Sequence, residues 1–415
     1  MKYCFKIIAS LFLLSALYAC KGNTNYRLEE GIWRATLKTS SGAEIPFNFE
    51  VTNSAGQKVI DLINGEDQFR VNEISQHSDS VLIRMPLFDT EIHAKIKDKT
   101  LSGNWIKHMS DSDMVMPFEA RHGESWRFFK VNSAQEAKLS GRWSVSFSTA
   151  DHDLREAGIG EFEQKDGRLY GTFIRATGDH RFLEGTISDK KIYLSAFDGA
   201  NAFLFTGKLL NDSTIVDGMF YSGFSLVQNW TAKKDDIAIL PDAYSITALK
   251  DGFDKIDFSF PDLNGKKVSL SDSKFKNKVV LIQFFGSWCP NCMDETAYLV
   301  PFHKKYQDKG LEIVALAYER TTDYELSKRN ILRLRDRFDV PYDMLITGYT
   351  NDKTEVAQSL PMLKSFVAFP TLIILDKKGK VRKIHTGFSG PGTGIHYANF
   401  KKEFEETIDN LLLEQ

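Results

Sequence analysis

From Tyr26 to Ala232, short apolar runs alternate with polar residues at a period of two, punctuated by Gly, Asn and Asp and almost without helical periodicity. That pattern constrains the region to an all-β fold, because successive side chains of a strand point to opposite faces and only one face is buried. Phe47-Asn48-Phe49-Glu50-Val51, Ile92-His93-Ala94-Lys95-Ile96 and Ile192-Tyr193-Leu194 are read as half-buried strands. Asn64-Gly65 and Asp166-Gly167 are the dipeptides that tight hairpins favour. The region also reads as internally duplicated. Gly31-Ile32-Trp33 returns as Gly141-Arg142-Trp143, Phe88-Asp89 as Phe197-Asp198, and Leu101-Ser102-Gly103 as Val216-Asp217-Gly218, at offsets of 110, 109 and 115. Two all-β copies, 26–132 and 133–235, are therefore expected, against the alternative of chance similarity among β-rich strings. Their aromatic positions fall at strand alternation and read as core, and a module that binds or positions a partner is the functional expectation for this half.

The chain has 415 residues, more than one hydrophobic core usually serves. Its 53 Lys and Arg nearly balance 55 Asp and Glu, so the basic field of a nucleic-acid binder is lacking. The first residues, MKYCFK, lead into IIASLFLLSALYA, a short basic stretch followed by a mostly apolar run ending in small residues. This is an export signal over 1–19 rather than a membrane span, which needs about twenty apolar residues. No other segment is apolar and long enough to span. Four cysteines are too few for a disulfide-built scaffold. Cleavage of the signal removes Cys4, and the nine histidines show no metal-ligand spacing, so neither a metal nor a cofactor is expected.

The composition shifts near Lys233-Lys234-Asp235-Asp236, and 236–253 reads as a connector to an α/β domain over 254–415. A hairpin over Asp257–Lys266 precedes a continuous apolar strand, Val279–Phe285. A helix from Pro290 to about Asp308, ended by Gly310, and a strand over Leu311–Ala317 complete a parallel crossover unit. A helix over Tyr324–Phe338, strands over Tyr342–Ile346, Thr371–Leu375 and Lys380–His385, and a helix over Tyr397–Leu413 follow.

Trp288-Cys289-Pro290-Asn291-Cys292 stands where the buried strand turns into the helix. Cys289 falls at the helix N-terminus, where unpaired N–H groups and the positive dipole end favour a thiolate. Pro290 suits the first helical position, and Cys292, within the same turn, is placed to resolve a mixed disulfide with Cys289. A zinc half-site or an inert disulfide are the structural alternatives; zinc normally wants four ligands, and there is no second Cys pair.

Residues 254–415 resemble the thioredoxin-fold domain of TlpA/ResA-type thiol-disulfide oxidoreductases. The resemblance rests on the Trp-Cys-x-x-Cys run, the preceding apolar strand, Phe260-Pro261-Asp262-Leu263-Asn264-Gly265 and Phe369-Pro370-Thr371. It implies a cis Pro370 opposite the Cys pair, with Phe369 offering backbone hydrogen bonds to a substrate peptide. Trp288 is read as shielding Cys289, with core packing as the plainer alternative. The resemblance also implies an acid, Glu295, associated with the thiols, whose plainer reading is a solvated first-turn glutamate. Thioredoxins proper carry a buried Asp where Gln283 stands, and Gln283 cannot take the resolving thiol's proton, which leaves Glu295 or water. Asn291 departs from the more common proline. At the other end, Leu17-Tyr18-Ala19-Cys20 resembles a bacterial lipobox, with Tyr18 bulkier than the usual occupant, and implies a lipid on Cys20 followed by a linker over 20–25.

The expectation is a membrane-anchored oxidoreductase in the bacterial cell envelope, facing the periplasm, that reduces disulfide-containing proteins with electrons from a membrane-side donor. The competing expectations are an anchored binding module whose β half does the recognition and, less favoured, a peroxiredoxin. The latter needs a hydroxyl residue three before its reactive Cys, where this chain has Gly286.

Overall fold

The computed structural model describes residues 26–130, 138–149 and 152–414. The signal segment, Cys4, Cys20 and residues 133–137 at the expected repeat junction lie outside the described residues. The described chain is two large antiparallel sheets followed by an α/β domain.

The first sheet holds β1 (Gly31–Lys38), β2 (Glu44–Ser54), β3 (Gln57–Asn64), β4 (Asp67–Val71), β5 (Glu73–His77), β6 (Ser80–Arg84), β7 (Thr90–Lys97), β8 (Thr100–His108) and β9 (Asp113–His122). Its order is β4-β3-β2-β1-β9-β8-β7-β6-β5. The two edge strands, β4 and β5, are joined through Asn72 alone, a span that no flat sheet of nine strands permits, so the sheet curls until its edges meet at one corner. In β7 the alternation appears as expected: Ile92, Ala94 and Ile96 are buried while His93 and Lys95 are exposed. In β2 it is overridden, because Asn48 on the outer face is also buried. That face packs on the second sheet, where Ser195 Oγ donates to the Pro46 carbonyl at 2.5 Å.

The second sheet holds β10 (Gly141–Thr149), β11 (His152–Lys165), β12 (Arg168–Arg175), β13 (Gly178–Asp179), β14 (Leu183–Ser188), β15 (Lys191–Phe197), β16 (Ala202–Asn211), β17 (Thr214–Ser222) and β18 (Leu226–Lys234). Pairing of β11 with both β10 and β12 closes it into a barrel. Side chains fill the interior, as expected for a barrel of this strand number. Phe173 stacks on Phe205 and Phe205 on Phe220, each at 4.2 Å between centroids, with Trp230 edge-on to Phe173 at 5.1 Å. Asp166 and Gly167 both take positive φ, 51° and 75°, between paired Lys165 and Arg168, the geometry of a two-residue I′ turn. The other hairpin is displaced by one residue: Asn64 pairs with Asp67, so Gly65 and Glu66 make the turn. The side chain of Asn64 is committed elsewhere, donating to the Phe197 carbonyl at 2.9 Å across the two sheets.

The α/β domain opens with a hairpin, β19 (Ser259–Pro261) and β20 (Lys267–Ser269). It continues through β21 (Val279–Phe285), α1 (Pro290–Tyr306), β22 (Leu311–Glu319), α2 (Tyr324–Phe338), β23 (Asp343–Thr350), α3 (Lys353–Ser359), β24 (Thr371–Leu375), β25 (Val381–Thr386) and α4 (Ile395–Leu413). Strand order is β23-β22-β21-β24-β25, with β21–β22 and β22–β23 parallel and the other pairs antiparallel. This is the thioredoxin arrangement, preceded by an all-β region. All seven residues of β21 are buried, as a central strand covered on both faces requires. Helix α1 ends at Tyr306 and tightens into a 3₁₀ turn before Gly310, whose φ of 104° reverses the chain. The helix α3 was not anticipated from the sequence; its seven residues are too few for a periodic signal, and Asp352 caps it by accepting from Thr354 and Glu355 N–H.

Candidate active site

Central strand β21 delivers the chain to the site through Gly286-Ser287-Trp288. A side chain at Gly286 would collide with the Trp288 ring, which folds back so that its Nε1 donates to the Tyr318 carbonyl at 3.0 Å. The hydroxyl residue that a peroxiredoxin needs at this position would therefore displace Trp288. Ser287 donates through N and Oγ to the two carboxylate oxygens of Glu319, each at 2.7 Å. Glu319 is fully buried and burial raises its pKa.

Cys289 is the N-cap of α1, in extended conformation, and its Sγ accepts the Cys292 N–H at 3.2 Å. Pro290 occupies the first turn. Cys289 and Cys292 are joined as a disulfide, with their Cα atoms 5.2 Å apart. Cys289 is 5% exposed and Cys292 not at all. The Phe369–Pro370 peptide is cis, and Phe369 lies edge-on to Trp288 at 5.4 Å. Thus Trp288-Cys289 and Phe369-Pro370, two pairs about 80 positions apart in the chain, are gathered at one end of the central sheet.

Glu295 lies one turn behind Cys292 and is 0% exposed, so the solvated reading does not hold. Gln283 Nε2 donates to Glu295 Oε2 at 2.9 Å and to Thr296 Oγ1 at 3.2 Å, while Glu295 Oε1 has no hydrogen-bond partner among the described residues. Burial pushes the carboxyl up to about 8, and the Gln283 hydrogen bond opposes this only in part. With the folded pKa above the ordinary 4.5, the folded protein retains a proton that the unfolded chain loses between those values. This contribution to stability is full below about 4.5 and is lost as pH rises to about 8. Glu295→Gln should match the parent at pH 4 and exceed it at pH 9 by on the order of a few kcal/mol, read from urea denaturation at the two pH values. Equal stabilities at pH 9 would show that the carboxyl ionises without penalty.

Contacts that the sequence did not reveal also surround the dithiol. Arg320 lies 5.4 Å from the Trp288 ring and donates to the His108 carbonyl of the first sheet at 2.8 Å. Asn291, between the two cysteines, donates to the Asp179 carbonyl of the second sheet at 3.3 Å. Arg181 grips Asp294, two residues after Cys292, through Nε at 2.8 Å and Nη2 at 3.0 Å. No local motif marks these contacts, because they form only when the β half docks.

The sequence profile of the Redoxin family matches residues 252–399. The thiol-disulfide oxidoreductase ResA of Bacillus cereus is 30% identical over 159 residues, which cover 38% of this chain and 76% of the relative. The chain belongs to the TlpA/ResA-type thiol-disulfide oxidoreductases. The oxidoreductase is also similar to the thioredoxin-like protein YneN of Bacillus subtilis, 29% identical over 46% of this chain and 89% of that one. Among solved structures, a thiol-disulfide oxidoreductase from Bacteroides fragilis aligns at 21% identity over 37% of this chain and 99% of its own, with a TM-score of 0.29. The Redoxin match runs from the end of the connector through most of the α/β domain.

Proposed function

We propose that the protein is a lipid-anchored disulfide reductase acting on extracytoplasmic protein substrates through Cys289 and Cys292. The observation that carries this reading is the Cys289–Cys292 pair on the first turn of α1, backed by a buried acid. In the reduced protein, the Cys289 thiolate attacks a substrate disulfide, one substrate sulfur leaves as a thiolate, and a mixed disulfide forms. The N–H that Cys289 Sγ accepts from Cys292 stabilises the attacking thiolate. Glu295 in its ionised form takes the proton of Cys292, whose sulfur then attacks Cys289 and releases the second substrate thiolate. The substrate gains two electrons and the pair closes to a disulfide, so each cycle requires a membrane-side dithiol donor to reduce it again. Trp288, Phe369 and Pro370 form the substrate-facing rim.

Signal cleavage before Cys20 and acylation of that residue place the enzyme on the membrane of the cell envelope, facing the periplasm. Several acyl chains make such an anchor durable. The β half is read as two copies, 26–132 and 133–235, joined by the connector 236–253 to the redox domain, 254–415. Gly31 and Gly141 take φ of 112° and 114°, and Trp33 and Trp143 both donate Nε1 to the carbonyl four residues before, supporting duplication.

The equilibrium reduction potential of the pair, titrated in redox buffers with thiol labelling, tests the direction. A value near or below about −230 mV, in the range of thioredoxin and the more reducing glutaredoxins, is expected; one near about −120 mV would make the protein a disulfide donor.

A further inference from the structure

The redox site is not open to solvent on the side where the β half lies. Buried apolar residues of the first sheet, among them Phe69 and Phe88, and Phe197 and Ala200 of the second, form one continuous cluster with Cys289, Cys292 and Met293. Polar joints on two flanks hold this contact, and His396 of α4 also meets Glu161 of the second sheet at 2.8 Å. On the Trp288 side, Arg320 donates to the His108 carbonyl. On the Asn291 side the joint is more elaborate.

There, residues 176–181 leave β12 and run against the first turn of α1 and the loop after β25. The Asp179 carbonyl accepts from Asn291, and Asp179 Oδ2 accepts the Gly390 N–H at 2.6 Å. Arg181, buried and held at a φ of 54°, makes its two bonds to Asp294 and has Asp67 of the first sheet and Asp198 of the second each at 3.8 Å. One guanidinium thus ties three parts of the chain together within the dithiol's own helical turn. The facing backbones are cut to fit. A β-carbon on Gly392 would lie 2.9 Å from the backbone of Arg181, one on Gly387 2.9 Å from that of Thr177, and one on Gly178 would collide with the Asn291 amide. Close backbone approach at three glycines, together with a buried bidentate ion pair, marks a built joint rather than loose apposition.

We propose that Arg181 is a specificity-determining residue of the redox site: it clamps the β half over the Asn291 flank of the dithiol, so that small disulfides reach Cys289 but a disulfide on a folded protein does so only when the joint opens. The proposal rests on the redox reading above and adds a role for the β half. For a protein substrate the competent fraction is the open one, and kcat/KM falls in proportion to that fraction; for a small disulfide closed and open forms both react.

The test compares insulin with hydroxyethyl disulfide as substrates of the full chain, with excess dithiothreitol as reductant. Arg181→Gln removes the clamp. Gly392→Ala pushes on it from the redox domain and leaves all the charges in place, which keeps the test valid if the Arg181 variant does not fold. A joint weakened in either way should raise kcat/KM for insulin by about tenfold and change it for hydroxyethyl disulfide by less than about twofold. An unchanged or lower insulin value in a folded variant, or parallel changes on both substrates, would overturn the proposal. A parent protein that reduces neither substrate would instead overturn the redox reading beneath it.

Discussion

Replacing Cys289 with serine should abolish disulfide turnover, a loss of at least about a thousandfold, because a serine hydroxyl is neither ionised near neutral pH nor able to form a mixed disulfide. Replacing Cys292 with serine should have a different outcome. Cys289 can still attack, but nothing resolves the product, so a substrate-bound species accumulates and is seen as a mass increase on a non-reducing gel. The asymmetry follows from position. Cys289 caps α1 and accepts an N–H, whereas Cys292 is wholly buried behind it beside Glu295's turn. Unchanged turnover in either variant would remove the dithiol from the mechanism.

The largest stability effect is expected at Phe173. Its ring is fully buried at the centre of the barrel that the second sheet forms, stacked on Phe205 and edge-on to Phe147, Phe162 and Trp230. Phe173→Ala removes that ring from a closed barrel whose strands cannot easily collapse inward, and should cost about 3–5 kcal/mol. Urea denaturation followed by tryptophan fluorescence reads the change; a loss under about 1 kcal/mol would mean that the barrel repacks freely. The site would sense the change too, since β12, which carries Phe173, leads directly into the 176–181 segment against Asn291 and Asp294.

Hydrophobic periodicity made most of the fold legible. Ile92, Ala94 and Ile96 alternate with exposed residues, and the unbroken apolar run Val279–Phe285 is buried throughout, because in both cases one strand's own neighbours decide what is inside. Where a second body covers the outer face, local pattern failed. Asn48 reads as exposed and is buried, since the face that carries it docks on β15. The seven-residue α3 lacked the length to register as periodic.

For the site, the residues that the sequence alone determined were those whose chemistry is local: a cysteine pair on one helical turn and a proline suited to the first helical position. Glu295 was visible as a candidate, but its state was not. Only the tertiary structure, by removing it from water, pushes its carboxyl up to about 8, against the partial opposition of the Gln283 hydrogen bond. Likewise Arg181 and Asp294 are 113 positions apart and belong to different domains. An isolated arginine or aspartate in a sequence is an ordinary solvated charge; it becomes a clamp only when docking excludes water and leaves each as the other's partner.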